Sequence, residues 1–413
     1  MIRRALQNTG WLMGARGVNA VLSLVYLALA TRALGLSGFG NFVLVIAFAQ
    51  AITGLASFQT WQVVVRWGQD KGSGADDAVG FAIALDLLTI LAGGTAAALI
   101  LLLSGDWLPV PPGLREEALG FTLVSLLAIR STPTGILRLH DRYALAAAAD
   151  STTSIVRVAG ASIAAVAAPS IEAFLLVWGA AELATAAVYW RLAARVQRPA
   201  PGRIGLRRIA RAHPGAWGFV WGTGLSGVLL IASRQVLVLL VGAFGGAAMA
   251  GIYRVAAQLG EGLLKLAQAL LRATYPELVR DPGAARAIAV RIGRIALFTG
   301  LAALMLALLA GEWVIRIIAG PDYLGAYWPM ILLSAAAAIE LAGATLEALL
   351  VSRGHALRNF LLRGLPTLAA LLALPFALDL AGAMGAAALV LAASVATVLG
   401  LAIVNCERPI RPG

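Results

Sequence analysis

The stretch GIYRVAAQLGEGLLKLAQALLRA, from Gly251 to Ala273, has the length and apolar content of a bilayer-crossing helix. Yet it carries Arg254, Gln258, Glu261, Lys265, Gln268 and Arg272. At about 100° per residue, positions 254, 261, 265 and 272 fall within about 20° of one line, and Gln258 and Gln268 within about 40° of it. One side of this helix is therefore a continuous polar stripe, and the rest is Ala, Leu and Gly. Glu261 and Lys265 stand at i,i+4 and are placed to pair. Arginine grips phosphate oxygens in bidentate fashion, so the chemistry this stripe offers is the binding of an anion such as phosphate or pyrophosphate.

Other apolar stretches hold ionisable residues too: Arg16, Asp86, Arg130, Asp150, Arg157, Glu182, Arg234, Glu340 and Glu347. Each costs about 2.5–3.5 kcal/mol on membrane-insertion scales and faces a partner or a water-filled cavity. Asp86, Glu182 and Glu347 are expected to pair between helices. For Arg16, Arg234, Arg254 and Lys265 the favoured reading is a net-positive aqueous cavity that attracts an anion. Asp150, Ser154 and Arg157 share one helix face, as do Glu340 and Glu347.

These residues are set in a chain of 413 residues that is 60% hydrophobic and 13% charged, with a mean hydropathy of +0.87. Soluble domains run nearer a quarter charged. Apolar runs of about 20 residues, long enough to span a bilayer, recur throughout. The expected fold is an all-α integral membrane protein with about twelve transmembrane helices. The first six are placed near 10–33, 40–66, 78–104, 117–139, 144–168 and 171–195, the second six near 213–242, 247–275, 286–310, 324–352, 357–378 and 382–405. Residues 1–195 and 213–413 then form two lobes. They are joined by a basic linker, 196–212, which reads as a cytoplasmic segment with a short amphipathic helix. The first apolar stretch contains Arg16 and is too long for a signal peptide, so it is read as an uncleaved helix.

The net charge of +12 fits the excess of arginine in cytoplasmic loops and carries no argument for nucleic acid. With both termini cytoplasmic, inside segments outnumber outside ones in basic residues about sevenfold. That count includes Arg353, Arg358 and Arg363 on the inside. The lone Cys406 allows no internal disulfide, no His or Cys spacing suits a metal, and no phosphate-binding G-x-x-x-x-G-K-[ST] loop is present. No cofactor is expected.

The halves resemble each other. LGLSGFGNFVLVIAFAQAI (from Leu34) matches FGGAAMAGIYRVAAQLGEG (from Phe244). Gly35 aligns with Gly245 and, after a one-residue insertion, Gly40 and Phe42 align with Gly251 and Tyr253. LHDRYALAAAADS (from Leu139) matches VSRGHALRNFLLR (from Val351). Two six-helix halves in the same orientation make a parallel repeat, an arrangement in which transporters hold substrate at the repeat interface.

ATRALGLSGFGNFVLVIAFAQAI, its copy VGAFGGAAMAGIYRVAAQLGE, GILRLHDRYALAAAAD and LLVSRGHALRNF resemble the Wzx-type flippases of polysaccharide biosynthesis, in the MOP superfamily that also includes MATE transporters. The resemblance implies two lobes around a cationic cavity that rock between inward-open and outward-open states. The implied cargo is an undecaprenyl-pyrophosphate-linked oligosaccharide, moved to the outer leaflet of the bacterial inner membrane for O-antigen, capsule or exopolysaccharide assembly. The implied cavity set is Arg16, Arg130, Arg157, Arg234, Arg254, Gln258 and Lys265, with Asp150, Glu261 and Glu340 assigned to ion coupling or cavity tuning. Partners implied are membrane lipids and a polysaccharide polymerase or glycosyltransferases. Many relatives carry an Asp in the seventh span where this chain has Arg234 and Gln235. A MATE-like small-molecule exporter is the alternative, but a cation exporter needs an acidic cavity. A membrane-embedded glycosyltransferase would need a large loop bearing carboxylates or a metal site, and the loops are short.

Overall fold

The computed structural model describes the backbone at residues 2–70, 74–105, 107–278, 285–352 and 356–406. Side chains at 2–16, 226–233, 261, 263–293, 295–296, 345, 348–349, 351–357 and 405–406 fall outside the description. Among the described residues every regular element is helical. The α-helices are α1 (Ile2–Ala56), α2 (Thr60–Trp67), α3 (Gly74–Leu103), α4 (Arg115–Leu127), α5 (Ser131–Leu139), α6 (Tyr143–Ala167), α7 (Ile171–Val196), α8 (Arg207–Ala212), α9 (Ala216–Leu278), α10 (Ala285–Ile318), α11 (Tyr327–Ser352) and α12 (Ala356–Cys406). Eight segments among the described residues are long and apolar enough to cross a membrane. Two of them, Gly17–Trp67 and Arg358–Val404, run to 51 and 47 residues, more than twice the roughly 20 needed for one crossing. The protein is a multi-pass membrane protein.

Interruptions divide the longest helices. In α1 the backbone turns at Gly35 (φ 66°, ψ −178°), in α9 at Gly246 (φ 81°, ψ 172°) and in α12 at Ala381–Gly382. A side chain at Gly35 or Gly246 would meet nothing within 4 Å, so backbone conformation rather than space reserves these sites for glycine. This corrects the sequence alignment. The glycine matching Gly35 in conformation is Gly246, not Gly245, which lies in regular helix. The offset is then 211 positions, the same as for Gly40 with Gly251 and Phe42 with Tyr253, and no insertion is needed.

The chain forms two compact units, Met1–Leu239 and Leu240–Gly413. In the first, residues 216–239 of α9 pack with the earlier helices: the Trp217 ring meets Phe81 edge-on, Trp221 meets Phe58, and the Arg66 guanidinium lies 4.4 Å from the Phe219 ring centre. Val63, Val64, Trp67, Phe81, Leu85, Ile136 and Tyr189 form the buried core beside them. In the second unit glycines let helices close up, as where Gly300 faces Ala338 and Gly343 faces Val398. Close backbone approach at small residues is how helices pack where lipid supplies no hydrophobic drive.

Candidate functional site

Two expected spans are not continuous helices. The span from Gly40 breaks at 57–59 before α2, with Gln59 left-handed (φ 51°), and the span from 117 breaks at 128–130 before α5. A break inside a membrane leaves backbone groups that lipid cannot satisfy, so side chains must serve them. The Ser131 hydroxyl accepts the Trp61 amide at 3.0 Å, the Thr89 hydroxyl donates to the Ala56 carbonyl at 2.9 Å, and the Thr134 hydroxyl donates to the Arg130 carbonyl at 2.7 Å. Asp86 of α3 joins both breaks. Its Oδ1 accepts the Thr60 hydroxyl at 2.8 Å and its Oδ2 the Thr132 hydroxyl at 2.5 Å. Its partners are thus hydroxyls of two helices, where a charged partner is the usual solution. At Gly135 the two short helices touch: a Cβ there would lie 2.9 Å from the Trp61 Cα and 2.8 Å from the Val64 Cβ.

Arg130 sits on the second break, as the N-cap of α5. Its Nη1 bonds Glu182 Oε2 at 2.6 Å, while Arg157 Nη2 bonds Glu182 Oε1. Arg157 also sits over the Trp178 ring, with its Cζ 3.6 Å from the ring centre, and Trp178 is held edge-on by Tyr26 and Phe42. Glu182 is thus paired between helices. Two guanidinium groups share one carboxylate, and the cluster carries one net positive charge. The Arg157 Nε and the buried Tyr26 hydroxyl have no hydrogen-bond partner among the described residues. Such a cluster can trade its internal carboxylate for a phosphate oxygen without moving its cations far.

Unit 2 holds the inverse arrangement. Arg363 of α12 donates to Glu347 at 2.8 Å and to Glu340 at 3.3 Å, both on α11. Asn359 donates to Glu347 at 3.0 Å and Ser394 to Glu340 at 2.8 Å. Here two carboxylates share one guanidinium, and the net charge is negative. Arg363 lies within α12, inside the span expected near 357–378, and its side chain reaches across to α11. Glu340 falls 210 positions after Arg130, and Ser394 falls 212 after Glu182, close to the 211-residue repeat. Near these repeat-related positions the direction of the hydrogen bond is reversed: Arg130 donates to Glu182, whereas Ser394 donates to Glu340.

Asp150 accepts the Tyr189 hydroxyl at 2.8 Å, which fixes the α6 face that also carries Arg157 against α7. Arg254 and Gln258 are half-buried on the second arm of α9, and Arg234 is exposed on the first arm. The side chains of Arg16, Glu261 and Lys265 lie outside the described residues. Tyr26, Trp178 and Arg363 were not among the expected site residues. A ring beside a cation has no signature in one sequence, and Arg363 is disguised by two nearby arginines.

The chain matches the polysaccharide biosynthesis protein family over residues 5–280. It belongs to that family. The inner membrane protein YghQ of Escherichia coli (strain K12) is 32% identical to it over 345 residues, spanning 79% of this chain and 95% of that one. The fold of this polysaccharide biosynthesis family member is shared with the lipid II flippase MurJ in an inward closed conformation. The TM-score is 0.80 at 14% identity, covering 96% of this chain and 88% of that one. It is also shared with a MATE family multidrug resistance transporter of the MOP superfamily in an inward-facing conformation. There the TM-score is 0.63 at 16% identity, with 94% of each chain covered. For this member of the polysaccharide biosynthesis family, those likenesses establish the fold and leave the cargo to its own side chains.

Proposed function

We propose that this protein carries an undecaprenyl-pyrophosphate-linked oligosaccharide from the cytoplasmic to the outer leaflet of the inner membrane by alternating access, for O-antigen, capsule or exopolysaccharide assembly. It acts as a transporter and not as an enzyme. The observation that carries this reading is the net-positive cluster of Arg130, Arg157 and Glu182 built on a broken helix, in a chain of a polysaccharide biosynthesis family. Arg16, Arg234, Arg254, Gln258 and Lys265 complete the proposed substrate-binding set, and Asp150, Glu261 and Glu340 tune it or couple it to an ion. The name of YghQ and the positive-inside count support an inner-membrane location with both termini cytoplasmic. The broken helices support twelve passes, since interruptions at Gly35, Gly246 and Gly382 each divide one long helix into two arms. The lobes are assigned to 1–195 and 213–413 with the linker at 196–212. A polymerase or glycosyltransferases are its expected partners, with membrane lipids around it.

A MATE-like exporter of cationic small molecules is the second reading. It is disfavoured by the surplus of guanidinium groups around Glu182. Deleting the gene and locating the glycan decides between them: accumulation of lipid-linked oligosaccharide on the cytoplasmic face supports the proposal. Unchanged export, with altered sensitivity to cationic compounds, would overturn it.

A further inference from the structure

We propose that the segment 191–211 is a docking surface for anionic phospholipid headgroups of the leaflet it faces. The observation is a pinned fold that turns its arginines outward. After α7 ends at Val196, the chain folds back over the start of α3. Gln197 Nε2 donates to Asp76 at 3.0 Å, Arg203 and Arg208 reach Asp77 at 3.1 and 3.5 Å, and the Gly205 amide meets the Gly80 carbonyl at 3.4 Å. Gly80 lies so close beneath that a Cβ would sit 2.2 Å from the Arg203 carbonyl oxygen. Ile209 is buried, and His213 stacks on Trp67 while it meets Asp70 at 3.0 Å.

Asp70, Asp76 and Asp77 are all engaged in these contacts. Arg191, Arg195, Arg198, Arg207 and Arg211 are exposed and, among the described residues, form no ion pair. Arg191 with Arg195, and Arg207 with Arg211, stand at i,i+4 and share a helix face. Ile204, Trp217 and Trp221 are exposed in the same region. Tryptophan beside arginine at a helix end is the signature of the headgroup layer, where anionic lipids attract basic side chains. A linker that only set topology would need the charges, but neither the pinned backbone nor the exposed aromatic rings.

The test uses the full-length protein in nanodiscs of equal phosphatidylglycerol and phosphatidylcholine, with retained lipids read by native mass spectrometry. Wild type is expected to retain phosphatidylglycerol in preference to phosphatidylcholine, and the R198Q/R207Q/R211Q variant to lose about tenfold or more of that preference. R316Q, which removes an arginine already paired with Glu312, should behave as wild type. No preference in wild type, or the same preference in the triple variant, overturns the proposal. If melting shows that the triple variant does not fold, R207Q/R211Q on exposed α8 carries the same readout. The result is independent of transport and leaves the flippase reading to its own experiment.

Discussion

Asp86 accepts the hydroxyl of Thr132 at 2.5 Å across 46 positions of sequence, tying α3 to α5 at the break where Arg130 emerges. Asp86→Ala removes the acceptor of two buried hydroxyls that keep only their mutual contact at 3.3 Å, at a cost of about 1–3 kcal/mol for a group left unsatisfied. Melting of the detergent-solubilised protein should fall clearly for Asp86→Ala and less for Asp86→Asn, which keeps an acceptor. If Asp86→Ala melts as wild type does, the knot has no structural role.

Glu182 holds two guanidinium groups together. Removing it leaves them facing each other, and Glu182→Ala is expected to destabilise the protein by about 2–3 kcal/mol. This is below the roughly 3–5 kcal/mol of a fully buried pair, because Arg130 remains about a third exposed. Arg130→Ala/Arg157→Gln leaves the Glu182 carboxylate without a cation and should lower the melting temperature as well, and it should abolish glycan export by the protein that reaches the membrane. Export near the wild-type level in that double variant would remove these arginines from the substrate site.

Arg363 has the opposite task, separating Glu340 from Glu347. Arg363→Gln places two carboxylates beside each other without a cation and should lower the melting temperature. Adding Glu340→Gln should restore much of it by removing the repulsion. A double variant no more stable than Arg363→Gln would show that α11 and α12 are held by apolar packing alone.

Two glycine substitutions should differ in sign. Gly246→Ala forces an L-residue into a positive-φ extended conformation (φ 81°, ψ 172°) that is essentially reserved for glycine and should cost about 1–3 kcal/mol. Gly364 lies inside α12, where an added Cβ meets nothing within 4 Å, so Gly364→Ala should stabilise by about 0.5–1 kcal/mol through helix propensity. Melting curves of both, recorded in one detergent, check the pair.

Helices and their charges were legible because hydropathy is written residue by residue. Arg130, Arg157 and Glu182 stand out in any reading because lipid forbids them a casual place. The breaks at 57–59 and 128–130 did not stand out. Ser57-Phe58-Gln59 contains neither proline nor glycine, and the groups freed there are served from elsewhere, by Thr89 and Ser131. The second break does have a local cause, Pro133, which has no N–H for the Ile129 carbonyl four residues back and crowds it. The role of Arg363 was hidden for a related reason: it was counted among the inside basic residues, and its partner carboxylates stand on another helix. The repeat could be seen but its register could not, since Gly245 and Gly246 are indistinguishable without their dihedral angles.

At Gly135 there is no room for a single methyl group between α5 and the backbone of α2. The two short helices hang from separate breaks, but neither can swing about its own without striking or dragging the other. Packed together at Gly135 and tied through Asp86, they make one plate hung from two breaks. Any bending at this end of the first unit therefore displaces two membrane passes together, with Arg130 riding on the hinge line.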